Sequence, residues 1–135
     1  MENAQALTAP RFAAIDWSID VDAFLLPAFD GDANLLHRCR ERVGKGDAQL
    51  LGVFDGDAQA GALVIASEGD EGVILAAGGE WKGGGIIAML LPVIELGFRN
   101  VGRKACRIET FRRGLMAKIA PLGYRPAFVA FRKEF

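Results

Sequence analysis

The rhythm of hydrophobic and polar positions changes several times along this chain, and each change marks an element. Arg11 to Asp16 (RFAAID) reads as a short opening strand. Behind Asp20, a candidate cap, Val21, Phe24, Leu25 and Ala28 fall at helical spacing until Pro27 and Gly31 disturb it. Asp32 offers a second cap, and Leu35, Leu36, Cys39 and Val43 form one apolar face opposite Arg38, Glu41 and Arg42, with Gly44 placed to end the helix. His37 lies on the shoulder of that face and reads as a surface residue.

Three apolar runs follow: Leu50 to Phe54, Ala60 to Ala66 and Val73 to Ala77. The turn signals between them, Asp55-Gly56 and Glu68 to Gly72, predict an antiparallel meander, and runs apolar on both sides predict strands covered on both faces. After Gly78-Gly79 the period shifts. Ile86, Leu90, Ile94 and Phe98 recur every four residues with Ile87 and Leu91 beside them, which predicts a helix from about Gly84 to Phe98, apolar nearly all round and kinked at Pro92. Ala105 to Thr110 reads as a strand, Gly114 to Leu122 as a short helix with Leu115, Ile119 and Leu122 inward, and Ala127 to Lys133 as the last strand.

The order is strand, two helices, three strands, helix, strand, helix, strand. With 135 residues, no repeat and no linker, it describes a single α/β domain over residues 1–135. No basic region followed by an apolar run stands behind Met1, and Ile86 to Phe98 is shorter than the ~20 residues of a membrane span, so a cytoplasmic protein without a membrane partner is expected. Two cysteines, Cys39 and Cys106, and one histidine provide neither a disulfide framework nor a zinc spacing, so no metal is expected. Cys106 reads as packing.

The net charge of −1 conceals an asymmetry: residues 1–98 carry 6 basic and 15 acidic side chains, residues 99–135 carry 10 and 2. A basic third can hold a phosphorylated ligand or serve as a solvated face. Around Arg103, Lys104, Arg107, Arg112 and Arg113 no aromatic residues interleave as stacking platforms do, so no nucleic acid is expected.

Chemistry gathers at Gly78 to Gly85 (GGEWKGGG), five glycines in eight residues between a strand and a helix. Glycines let a pyrophosphate approach the unpaired N–H groups of a helix start, and Lys82 adds positive charge. The spacing is neither that of a P-loop nor that of a Rossmann turn.

The order of elements and E-W-K-G-G-G resemble the GNAT superfamily of acyl-CoA-dependent N-acetyltransferases. Its signature is Arg or Gln, two residues, Gly, one residue, then Gly or Ala; Glu80, Gly83 and Gly85 stand at those positions, with glutamate as the departure. CRIETFRRGLMAKIAPLGYRP is similar to the family's later strand, helix and closing "LGF", here Leu122, Gly123 and Tyr124, and the likeness spans roughly residues 49 to 133. The run from RIETF to the terminal RKEF also resembles short GNAT-like proteins encoded by bacteriophages.

The resemblance implies a mixed, mostly antiparallel central sheet with helices on both faces, and acetyl-CoA as cosubstrate. It assigns the pantetheine arm to the backbone of Leu75, Ala76 and Ala77, and the pyrophosphate to Trp81, Lys82, Gly83, Gly84, Gly85 and Ile86. An amine of a small molecule or a protein then attacks the thioester, with a base and an acid moving protons. The family's acid is often a tyrosine five residues before the last residue of "LGF"; Ile119 stands there and cannot donate. Glu80, Glu109 and Tyr124 are the remaining candidates, although Glu109 can simply pair with Arg107 or Arg112 and Tyr124 can be a core aromatic. Two readings follow: an N-acetyltransferase lacking the usual general-acid tyrosine, or a catalytically inactive protein of the same fold that serves a structural or interaction role, with a protein partner or as a virion component.

Overall fold

A computed structural model describes residues 9–110, 113–127, 131 and 133–135. Along the chain run β1 (Arg11–Ala14), α1 (Ile19–Leu25), a 3-10 turn (Leu26–Phe29), α2 (Ala33–Gly44), β2 (Gln49–Asp55), β3 (Ala58–Glu68) and β4 (Glu71–Trp81). They are followed by a two-residue strand β5 (Gly84–Gly85), α3 (Ile86–Asn100), β6 (Ala105–Ile108), α4 (Arg113–Ile119) and a 3-10 turn (Ala120–Leu122). The expected order is observed as far as the description reaches; residues 128–130 and 132 of the expected last strand lie outside it.

Strands β1 to β4 pair in sequence order, all antiparallel, and β6 joins β4 in parallel. Two-residue turns close the meander, with Gly56 and Gly69 at φ +60 and +62, values a side chain disfavours. Helices stand on both faces. One core gathers Val21 and Leu25 of α1, Phe29, and Leu36 and Cys39 of α2 against Leu50, Val64 and Val73; the other sets Ile86, Ile87, Leu90, Leu91 and Ile94 of α3 and Ile119 of α4 against Val53, Leu63 and Ile74.

Several local expectations need correction. Ser18, not Asp20, caps α1, its Oγ accepting from Val21 N at 3.3 Å, while Asp20 sits in the first turn. Asp32 caps α2 as expected, accepting from Asn34 and Leu35. Helix α3 is not apolar-buried all round: Met89, Val93 and Leu96 are exposed, because the sheet covers one side only. Leu122 points outward.

Strand β4 continues past Ala77 through Gly78 and Gly79, which the sequence placed in a loop. The reason is close approach: a Cβ on Gly78 would stand 1.7 Å from the Phe24 carbonyl oxygen of α1, and one on Gly79 (φ +126) 2.2 Å from that of Ala60. The glycines let neighbouring backbone lie directly on the strand.

Candidate functional site

Strand β4 pairs with β3 along most of one edge, from Glu71 to Gly79, but not along the other. Its opposite edge meets β6 only from Glu71 to Ile74, where the Glu109 N–H adds one bond to the Ile74 carbonyl, and meets β5 only at Glu80 and Trp81. Between these, Leu75 to Gly79 have no strand partner on that edge among the described residues, an open backbone of about 16 Å at strand rise. Leu75 is also skipped on the β3 side, where Val64 pairs Ala76 and Ile65 pairs Ile74, so a β-bulge starts the divergence of β4 from β6. The resulting gap is lined by Ala28, Ile74, Ala76, Ala77, Ile87, Ile108, Glu109, Thr110 and Leu115.

At the far end of β4 the glycine-rich run is a hairpin. Trp81 pairs Gly84 and Glu80 pairs Gly85 across Lys82 (φ +51) and Gly83 (φ +84), two left-handed residues in the pattern of a type I′ turn. Gly85 then serves as N-cap of α3 without a capping side chain, and Ile86 is buried in the helix's first turn. Trp81 is buried against α3, while Glu80, one residue away on the strand, is exposed on the face that α1 covers. Of the residues expected to hold a cosubstrate, Leu75, Ala76 and Ala77 therefore border the open edge, and Trp81 to Ile86 form the turn at its end.

Lys118 of α4 was missed. Its Nζ would lie 3.9 Å from a Cβ on Gly85, placing a cation at the start of α3, where helix N–H groups already favour an anion. Only its place in a helix next to the apolar Ile119 is visible in the sequence; the crossing of α4 over the turn is not.

The candidate proton carriers separate. Ile119 is buried beside Trp81, Ile86 and Ile87 and is a packing residue. The Tyr124 hydroxyl donates to Glu95 Oε2 at 2.5 Å and lines a cleft with Glu95, Arg99, Cys106 and Arg125 that shares no residue with the β4–β6 gap. Burial, and then Cys106 and Glu95 beside it, push this phenol far above its ordinary value, so it keeps its proton. Cys106 packs against the α3-side core, its thiol also raised by burial. Glu109 does line the gap, and it pairs with Arg107 at 3.3 Å, while Arg112 lies outside the described residues. His37 is exposed, 3.6 Å from Glu41. The basic third is partly consumed internally: Arg107 serves three glutamates, and Arg103 donates to the Gly69 carbonyl. Among the described residues there is no cluster of metal-ligating side chains and no helix long and apolar enough to cross a membrane.

No protein-family model and no curated protein matches the sequence. Solved structures do match. A Bacillus subtilis acetyltransferase in complex with CoA is similar with a TM-score of 0.65 at 15% identity, over 87% of this chain and 77% of that one. A GNAT family acetyltransferase from Staphylococcus aureus gives 0.60 at 16% identity, over 94% and 99%. A transcriptional regulator from Bacillus halodurans gives 0.65 at 13%, over 94% and 100%. At such identities the likeness is one of fold, and the fold is that of the GNAT acetyltransferases.

Proposed function

We propose that this chain is an acyl-CoA-dependent N-acyltransferase that transfers an acetyl group from acetyl-CoA to an amine of a small molecule or a protein. One observation carries the reading: among the described residues, one edge of β4 from Leu75 to Gly79 has no strand partner, along a gap that ends at a glycine hairpin and the start of α3. Free strand N–H and C=O groups suit the amides of a pantetheine arm, and the turn from Trp81 to Ile86, with Lys82 and Lys118 beside it, suits a pyrophosphate. The CoA complex of the similar Bacillus subtilis acetyltransferase supports it.

In this reading the amine nitrogen attacks the thioester carbonyl within the gap. Ile119 offers no proton to the departing thiolate, so water supplies it, and turnover falls short of what general acid assistance, typically worth about 10²- to 10⁴-fold, would provide.

Calorimetric titration with acetyl-CoA tests the proposal. Gly85→Val is the informative variant, because a Cβ there meets nothing nearer than Lys118 Nζ at 3.9 Å and the fold should persist, whereas Gly83 is left-handed and any side chain strains it. The wild type should bind, and Gly85→Val should bind at least about tenfold more weakly with an unchanged melting temperature, a loss of about 1.4 kcal/mol. Absence of a titration signal and of thermal stabilisation at millimolar acetyl-CoA would refute the assignment.

A further inference from the structure

The cleft that Tyr124 lines lies between the C-terminal end of α3, the start of β6 and the chain from Leu122 to Ala127, and has a volume of about 650 Å³, within the usual range of small-molecule sites. It stands at the other end of α3 from the glycine hairpin, about 21 Å away at 1.5 Å per residue from Ile86 to Asn100. Its charge is one-sided. Arg99, Arg103, Lys104 and Arg125 line it, against Glu95 as the one carboxylate among the described residues.

The local structure does not consume these cations. Backbone already caps the last carbonyls of α3, since the Val101 and Arg103 N–H groups donate to Phe98 and the Gly102 N–H to Arg99. Arg103 is anchored by its donation to the Gly69 carbonyl at 3.0 Å, while Arg99, Lys104 and Arg125 are exposed and form no ion pair among the described residues. Four like charges around one cleft repel one another until an anion joins them. Glu95 is the partner they lack. It stands four residues before Arg99, the favourable order for an ion pair along a helix, yet its Oε2 accepts from the Tyr124 hydroxyl at 2.5 Å and Arg99 is left available. Leu122 and Pro126 add an apolar wall beside the charges.

We propose that this cleft binds a polyphosphorylated small molecule, with its phosphates on Arg99, Arg103, Lys104 and Arg125, and that the hydrogen bond from Tyr124 to Glu95 keeps the site available by holding the carboxylate off Arg99. The inference does not rest on the acyltransferase reading, because the cleft shares no residue with the β4–β6 gap or with the turn from Trp81 to Ile86. The triphosphate of a nucleotide and a free polyphosphate present the same chemistry to these four side chains.

Calorimetric titration of the full chain with inorganic tripolyphosphate and with ATP tests it. Both should bind at low salt and weaken as salt is added. Tighter binding of ATP would assign a nucleotide, and equal binding a free polyphosphate. Arg99→Gln and Arg125→Gln, both at exposed positions, should each weaken binding about tenfold with an unchanged melting temperature. Glu95→Gln should tighten it about threefold, and Tyr124→Phe should weaken it about as much by freeing Glu95 to pair with Arg99. Opposite signs from the two partners of one hydrogen bond are not what lost packing produces. Should Tyr124→Phe fail to fold, the tightening by Glu95→Gln carries the same test. Gly85→Val should bind tripolyphosphate as the wild type does. Four results would overturn the site: no binding of either ligand at millimolar concentration, binding lost in Gly85→Val but kept in Arg99→Gln, no tightening by Glu95→Gln, or a short single-stranded oligonucleotide held more tightly through the same arginines. A wild-type chain that binds tripolyphosphate but not acetyl-CoA would overturn the acyltransferase reading alone.

Discussion

Cys39 shows how much a single buried position can set. It packs under α2, and burial, only partly offset by Arg42, pushes its thiol up to about 11 from an ordinary 9.0. The folded state therefore holds the proton more tightly than the unfolded chain. The stability this represents is complete below pH 9 and is lost as pH rises through 11, in all about 2–3 kcal/mol. Urea denaturation at pH 8 and pH 11 should show the wild type losing that much more than Cys39→Ala over the same interval. At this scale the sequence was legible where one residue type has one common role, as for His37 on the surface and Cys106 in packing. It was ambiguous where Ser18 and Asp20, two competent caps two positions apart, compete for the same helix start. It was silent on Lys118, whose meaning depends on where another element passes.

Strand β4 is the element on which the reading turned. From the residues it ends at Ala77, because two consecutive glycines weaken a strand. The strand persists to Trp81 because the Phe24 carbonyl of α1 and the Ala60 carbonyl of β3 occupy the space where side chains would be. Gly78→Ala should therefore push α1 away from the sheet and cost about 3 kcal/mol, seen as a lowered denaturation midpoint. The signature glycines were legible as a turn before a helix, yet their hairpin geometry was not, since a left-handed Lys82 leaves no trace in composition. Helix α3 misled in the opposite direction. Its apolar outer face, Met89, Val93 and Leu96, looks in sequence like a second buried side, and periodicity cannot tell how many neighbours a helix will find.

For the molecule as a whole, the element order and the covering of the sheet on both faces followed from the sequence, and so did the acidic-then-basic division of charge. In space that division becomes contact: Arg107 from the basic third sits among Glu68 and Glu71 from the acidic part. The gap was beyond reach because it is defined by pairing that does not happen. It also has a mechanical meaning. Among the described residues, the backbone of β6 joins the sheet through four register pairs and the bond from Glu109 N–H to the Ile74 carbonyl, with Arg107 adding side-chain bonds to Glu68 and Glu71, far fewer than bind β2, β3 and β4 together. Such a sparsely laced seam should open more often than the sheet unfolds, so the amides of Cys106 to Glu109 should exchange with solvent faster than those of Leu63 and Val64. On the acyltransferase reading, an acyl-CoA seated in the gap would touch both sides and act as a stitch. At a concentration about 100 times its Kd for the wild type it should slow exchange at Cys106 to Glu109 by about 100-fold, an effect visible by amide exchange mass spectrometry and cut to about tenfold or less in Gly85→Val. On the acyltransferase reading, the opening that admits the cosubstrate is also the line along which the protein first comes apart, and occupancy sets how firmly its two halves are sewn together.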